Sequence, residues 1–314
     1  MKTVSLIIPA YNEQESLHAL YNSLCELMES HKQYNWEVLF INDGSRDNTE
    51  AIIDGFIAQD QRIATVVLSR NFGKEAAMLA GFDYVTGDCA IILDADLQHP
   101  VSAIPQMLQY WEEGYDDVFA RRKSRGDNSK LRKMLSRAYY SLLQHTSDID
   151  VLPDVGDFRL LDRKCIDTLR TLREQCRYTK GMYAWIGFKK KEIVCDQHER
   201  VAGTSKWNFF SLFNLAVEGV TSFSVTPLRI SSILGFIISI VAFIYMMIII
   251  AKTLIWGESV AGYPSLMCII LFLGGIQLLS LGIIGEYLGR IFNETKNRPT
   301  YIAREYKKHS HDEK

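Results

Sequence analysis

Apolar runs of strand length recur along the first 120 or so residues, at Val4–Ile8, Glu37–Ile41, Ile63–Leu68 and Cys89–Leu93. Between them, Glu13–Ser30, Asn48–Gln59 and Lys74–Val85 mix apolar and polar positions at helical spacing. The strand runs are apolar at almost every position instead of alternating, which marks strands covered on both faces. Such strands alternating with helices predict an α/β domain built on a doubly wound, mostly parallel sheet. Asn12 with Glu15, and Asp47 with Glu50, have the spacing of capping pairs for the first two helices. Ligands of such sheets bind beyond the carboxyl ends of the strands. The loops Pro9–Glu13, Asn42–Asp47, Ser69–Lys74 and Asp94–Pro100 are therefore expected to converge on one crevice.

Beyond residue 120 the pattern changes. Arg121 to Arg137 is rich in basic side chains with Asp127 as its one acid, and residues 120–200 are less regular. Residues 205–227 carry Trp207, Phe209, Phe210, Leu212 and Phe213 with Lys206 and Glu218 as the charges, and read as a helix lying in a membrane interface. A core helix of the soluble domain is the alternative for that segment. Ile230–Ala251 and Pro264–Gly285 contain no charged side chain, and each is long enough to cross a hydrocarbon core of ~30 Å as a helix. Two buried core helices would normally keep a polar face, which these lack. Arg229 precedes the pair, and Arg290, Lys296 and Arg298 follow it, so the basic flanks place both ends in the cytoplasm. The expected organisation is a cytoplasmic catalytic domain over residues 1–204, an interfacial helix over 205–227, a transmembrane hairpin over 228–289 with spans at about 230–251 and 264–285, and a cytoplasmic tail over 290–314. The polar stretch Lys307–Lys314 reads as disordered.

Composition narrows the function. Basic and acidic side chains nearly cancel, at 35 and 37, and no nucleic-acid-binding module is visible, so nucleic acid is not an expected partner. The six cysteines show no C-x-x-C spacing, which leaves out a zinc ribbon and fits a reducing compartment. Met1-Lys2-Thr3 runs straight into a strand-like segment, not into a secretory leader.

Candidate chemistry lies at the strand ends. Asp94 and Asp96, two residues apart beyond Cys89–Leu93, suit a hard divalent cation that bridges to phosphates; they equally suit an ordinary turn. Asp43-Gly44-Ser45 reads either as turn chemistry or as a carboxylate facing a nucleobase or ribose. Pro9-Ala10-Tyr11-Asn12-Glu13 reads either as a helix entry or as a wall against a base. His99, beside Pro100, reads as a packing residue before a metal contact.

Taken in order, Ile8-Pro9-Ala10-Tyr11-Asn12-Glu13, Asn42-Asp43-Gly44-Ser45-Arg46-Asp47-Asn48-Thr49 and Asp94-Ala95-Asp96-Leu97-Gln98 resemble the family 2 glycosyltransferases of GT-A fold. Arg70-Asn71-Phe72-Gly73-Lys74, Gly156-Asp157-Phe158-Arg159 and the run Glu199 to Trp207 narrow the resemblance to the polyprenyl-phosphate branch, which includes dolichol-phosphate mannose synthase and bactoprenol glucosyltransferases. The resemblance covers nearly the whole chain. It implies inverting transfer of a hexose, with glucose or N-acetylglucosamine ahead of other sugars, from a UDP-sugar to undecaprenyl or another polyprenyl phosphate, at the cytoplasmic face of the cell membrane and with Mg²⁺ or Mn²⁺. It implies nucleotide-sugar contacts at Pro9, Tyr11, Glu13, Asp43, Lys74 (near the base), Asp94, Gln98, Arg200 and Lys206. Asp94 and Asp96 hold the metal, and Asp157 with Asp96 forms the catalytic pair. Arg121 and Arg125 are the choices for the acceptor phosphate, and a homo-oligomer is expected.

The acceptor is a phosphate monoester with a second pKa of about 6, so it is already nucleophilic at neutral pH. Asp157 is therefore expected to orient groups instead of removing a proton. Two other functions fit parts of the pattern. A processive polysaccharide synthase would carry a Q-x-x-R-W motif, and Gln175-Cys176-Arg177-Tyr178 does not match it. A non-catalytic membrane scaffold or flippase partner would not need Asp94, Asp96 and Asp157 together.

Overall fold

The computed structural model describes residues 1–122, 155–175, 177–195, 226–256 and 262–309. Its centre is an eight-stranded sheet: β1 (Thr3–Ala10), β2 (Asn35–Asn42), β3 (Ile63–Leu68), β4 (Cys89–Ile92), β5 (Asp117–Arg122), β6 (Val155–Asp162), β7 (Lys190–Cys195) and β8 (Ala303–Lys308), in the order β7-β5-β6-β4-β1-β2-β3-β8. The first four strands run parallel, as does β7 beside β5. β6 runs antiparallel to both β4 and β5, and β8 antiparallel to β3. Helices α1 (Leu17–Ser30), α2 (Thr49–Gln59), α3 (Lys74–Tyr84), α4 (Ile104–Glu112), α5 (Arg163–Thr171) and α6 (Thr179–Trp185) surround the sheet. The observed strands and first three helices match the expected ones to within a few residues.

The period of two within each strand divides the interior into two cores. Leu6, Ile8, Val38, Phe40 and Ile91 pack on one face with α1, α2 and α4. Ile7, Leu39, Ile41, Val66 and Ile92 pack on the other with α3, α5 and α6. α3 approaches β1 so closely that a Cβ on Gly81 would collide with the Ile7 side chain. Strand order reverses between β1 and β4, which is where an open α/β sheet leaves a crevice.

Two local expectations fail. Asn12 does not cap α1 with Glu15; it sits at φ 57°, and its side-chain oxygen accepts the Arg46 N–H at 2.8 Å, tying the first two strand-end loops together. Asp47 does act at the start of α2, accepting the Thr49 N–H at 3.0 Å. The tail is also corrected over Lys307–His309, while residues 310–314 lie outside the described residues. Residues 303–308 form β8, whose backbone pairs with the otherwise open edge of β3, and His309 Nδ1 lies 2.9 Å from the Ile57 carbonyl. An edge of unpaired N–H and C=O groups outweighs the polar composition of this stretch. Arg304 and Lys307 reinforce the strand through Glu50 at 2.6 Å and Asp54 at 3.0 Å on α2.

Two long helices precede β8: α7 (Thr226–Trp256) and α8 (Tyr263–Thr295), which contact one another. Apolar side chains such as Phe236, Phe272 and Leu278 point outward, 68%, 63% and 72% exposed. Among the described residues one stretch, Phe272–Thr295, is long and apolar enough to cross a membrane, and none of it is buried. It lies further along the chain than the expected 264–285. The shorter apolar stretch Ile230–Tyr245 falls within the first expected span. The interfacial helix expected over 205–227 lies almost wholly outside the described residues.

Candidate active site

The ends of β1, β2 and β4, with the first turn of α3, enclose a cleft of about 310 Å³. Its walls include Pro9, Tyr11, Glu13, Asp43, Lys74, Asp94 and Asp96, so seven of the residues singled out from the sequence meet in one place. Tyr11 is 40% exposed, which leaves its ring open to a flat ligand. Backbone N–H groups of the first loop reach across to the second: Asn12 donates to Ser45 Oγ at 3.1 Å and Glu13 to Thr49 Oγ1 at 2.9 Å.

Asp43 is almost wholly buried, and its two oxygens accept the N–H groups of Phe72 at 2.7 Å and Gly73 at 2.9 Å. Burial raises its pKa, and those two N–H groups work in the opposite direction. Asp43 therefore fixes the Ser69–Lys74 loop, a structural duty that neither sequence-based reading contained. Gly44 follows at φ +66°, where a Cβ would lie 2.5 Å from the Arg70 carbonyl carbon. Glycine is required there both for conformation and for space.

Lys74 opens α3 and joins two carboxylates from different strands: its Nζ lies 2.6 Å from Asp94 Oδ1 and 2.9 Å from Asp157 Oδ2. Lys74 lines the cleft with its ammonium between the two acids. Asp157 is at the start of β6 and only 9% exposed. Burial alone would push its carboxyl up, but the charges of Lys74, Lys180 and Arg159 outweigh it and bring the pKa down to about 2. Lys74 is pushed down by burial, and the two carboxylates more than reverse this, so it stays charged. A carboxyl ionised above about 2 is a very weak base at neutral pH.

His99 is buried and stacks on Phe158 at 4.9 Å, with Nε2 3.8 Å from Asp94 Oδ2. It packs the loop while sitting beside the first acid. Asp96 Oδ1 accepts the Gln98 N–H at 3.1 Å, and Leu97 between them adopts φ 58°, a left-handed conformation uncommon for a branched side chain. Gln98 itself is not among the residues that line the cleft. Among the described residues no three His, Cys, Asp or Glu side chains gather around one point. Asp94 and Asp96 both line the cleft.

Further contacts behind the cleft were not visible in the sequence. Glu75, next to Lys74, accepts the Thr179 N–H at 3.1 Å and the Thr179 hydroxyl. Arg159 pairs with Asp117 at 2.9 Å and lies 3.6 Å over the Tyr183 ring. Arg159 and Asp117 are 42 residues apart and Glu75 and Thr179 104, and no motif announces them. Arg121 is exposed on β5 with Glu192 at 3.3 Å, and it is not among the cleft-lining residues. Arg125, Arg200 and Lys206 lie outside the described residues.

The family model for glycosyl transferase family 2 matches residues 5–170, and a model for a GtrB C-terminal hairpin matches residues 226–291. The chain is 42% identical over 305 residues to a prophage bactoprenol glucosyl transferase homolog of Escherichia coli (strain K12), covering 97% of this chain and 99% of that one. It is 41% identical over 301 residues to the bactoprenol glucosyl transferase of Shigella phage SfII, covering 96% and 97%. Among solved structures, glucosyl-3-phosphoglycerate synthase from Mycobacterium tuberculosis, in complex with Mn²⁺, uridine diphosphate and phosphoglyceric acid, shares the fold with a TM-score of 0.50 at 17% identity, covering 70% of this chain and 76% of that one.

Proposed function

Because the chain belongs to glycosyl transferase family 2 and is a glycosyltransferase, we propose that it moves glucose from UDP-glucose to undecaprenyl phosphate at the cytoplasmic face of the membrane, with inversion at the anomeric carbon. N-acetylglucosamine is the next sugar in line. The observation that carries this reading is the convergence of Asp94, Asp96, Lys74 and Asp157 at the switch point of the sheet, in a chain that matches relatives named bactoprenol glucosyl transferase along almost their full length.

The chemistry follows from charge. Breaking the bond between the sugar and the nucleotide leaves a diphosphate with growing negative charge. Asp94 and Asp96 would hold Mg²⁺ or Mn²⁺ through hard oxygen ligands, and the cation would supply neutralising charge at that diphosphate. Tyr11 offers an aromatic wall, and Pro9 and Glu13 complete that side of the cleft. Asp157, kept ionised by Lys74, presents fixed negative charge towards a sugar that becomes electron-poor during transfer. The acceptor phosphate attacks without needing a base. The exposed apolar faces of α7 and α8 support a spanning hairpin, which would bring the lipid to the domain, and β8 would leave both ends of the pair on the cytoplasmic side. Arg125, Arg200 and Lys206 remain proposals for phosphate contacts.

The test is to incubate the purified full-length protein with undecaprenyl phosphate and a panel of UDP- and GDP-sugars, then weigh the lipid products by mass spectrometry. The expected product is undecaprenyl phosphate plus one hexose, formed from UDP-glucose. No lipid-linked sugar from any donor, or a lipid bearing many sugars, would overturn the proposal.

A further inference from the structure

Lys74 has to keep one place while anions arrive. Its ammonium stands 2.6 Å from Asp94 and 2.9 Å from Asp157. The lysine stem is flexible, its side chain is 43% exposed, and both proposed substrates bring phosphate oxygens that compete for the same charge. The two ion pairs alone therefore do not fix where the ammonium sits during transfer. The root of the side chain has to be held. Lys74 is the first residue of α3, and Gly73 before it offers no side chain to cap the helix.

The structure holds that root from both sides. On one side the Gly73 N–H donates to Asp43 at 2.9 Å. On the other, the Glu75 carboxylate accepts the Thr179 N–H at 3.1 Å and also the Thr179 hydroxyl. Thr179 is wholly buried and opens α6, which has no side-chain cap from its own N-terminal residue. Glu75 satisfies one of the free N–H groups of that helix end from a different helix. The far end of α3 is gripped as well: Arg173 forks onto Asp83, in the last turn, at 2.7 Å for each N–H. A clasp that only joined two helices could sit at any turn of α3. This one sits on the residue next to the ammonium that serves both acids.

Resting on the transfer proposed above, we infer that Glu75 is a positioning residue for that reaction: clasped by Thr179, it fixes the first turn of α3 and so keeps the Lys74 ammonium between Asp94 and Asp157 while the phosphates are bound. Glu75 is outside the residues that line the cleft and acts through Lys74. Released from the clasp, the ammonium can swing to a substrate phosphate and leave Asp157 without its counter-charge. Substrate binding then survives and turnover suffers.

The experiment uses full-length protein in lipid nanodiscs, with UDP-glucose and undecaprenyl phosphate each varied, at a temperature well below every unfolding midpoint. Thr179→Val keeps the shape of the side chain and removes the hydroxyl donor; Thr179→Ser keeps the donor. Thr179→Val is expected to lower kcat roughly 10-fold, since a misplacement of about 1 Å can cost about 100-fold, with both KM values within about twofold of the parent. Thr179→Ser is expected to restore most of kcat. The double variant Glu75→Met/Thr179→Val replaces both polar side chains by apolar groups of similar shape, so its unfolding midpoint should recover while its kcat stays low. The inference is overturned if kcat of Thr179→Val stays within about twofold of the parent, or if Thr179→Ser loses as much as Thr179→Val. It is also overturned if kcat returns together with the midpoint in the double variant, because the clasp would then be structural only. Should the parent form no lipid-linked sugar, the transfer reading fails by itself, and the hold on Lys74 is read from unfolding between about pH 4 and about pH 2, where the Asp157 charge is lost. Thr179→Val should flatten the parental slope there, and an unchanged slope overturns the clasp.

Discussion

Replacing Lys74 with Met removes the ammonium that Asp94 and Asp157 share. Asp157 is the sensitive partner, since its side chain is only 11% exposed. Holding its carboxyl at about 2 against an ordinary 3.8 corresponds to roughly 2 kcal/mol, at about 1.4 kcal/mol per tenfold change in proton affinity. Lys74 is the largest favourable contribution, and burial opposes it. The Lys74 side chain is 43% exposed, so the pair is partly screened, which keeps the expected loss at neutral pH at ~2 kcal/mol, below the ~3–5 of a fully buried pair. For a domain of this size that is about 4–8 °C in unfolding midpoint. The sign of the pH dependence is set by a depressed carboxyl: the stabilisation is complete above about pH 4 and disappears as pH falls towards 2. Lys74→Met should flatten that acid-side slope. The assay is thermal unfolding of full-length protein, read as a double-mutant cycle with Asp157→Asn. An amide leaves no buried charge to strand, so the double variant should recover at least half of what Lys74→Met loses. If the two substitutions simply add, Lys74 is not there to hold the Asp157 charge, and the reasoning fails.

Asp157→Asn should lower the transfer rate modestly and leave the shape of its pH profile unchanged between pH 6 and 9, with any acid limb near pH 6 following the acceptor phosphate; a collapse rescued at high pH would make Asp157 a base. Gly44→Ala meets both a positive φ and a carbonyl carbon 2.5 Å away, and should cost about 1–3 kcal/mol and weaken UDP binding, measured by unfolding and calorimetry. EDTA should abolish transfer and Mn²⁺ or Mg²⁺ restore it, while Asp96→Ala should lose activity that neither ion recovers; transfer at the parental rate in Asp96→Ala would remove the metal from the account. Ending the chain before Pro299 deletes β8 and its pairs with Glu50 and Asp54, and should lower the unfolding midpoint by several degrees and promote aggregation, detected by light scattering.

The strand-end loops were legible because their chemistry is local. Apolar runs such as Ile63–Leu68 specify doubly covered strands by themselves, and turn residues mark where those strands stop. The acids at positions 43, 94 and 96 follow directly from that register. What was not legible depends on partners distant in sequence. Nothing near Lys74 states that its ammonium ends between Asp94 and Asp157, because the second acid is 83 positions later and arrives on an antiparallel strand. Nothing near Lys307 shows that its strand is wanted by β3; polarity suggested a loose tail, and pairing across 242 positions with Thr65 decided otherwise. Asp43, read either as turn chemistry or as a nucleotide contact, lines the cleft and also holds a neighbouring loop through the N–H groups of Phe72 and Gly73.

The placement of β8 has a consequence for how the molecule is made. β3 is complete at Leu68, and its partner begins at Ala303. At a synthesis rate of about 5–20 residues per second, roughly 12 to 50 seconds separate the two on the ribosome. Both long apolar helices are translated inside that interval. The nascent enzyme therefore closes its sheet only after those helices have emerged, so a chain stalled or mis-delivered before then displays a sticky β3 edge to chaperones and proteases.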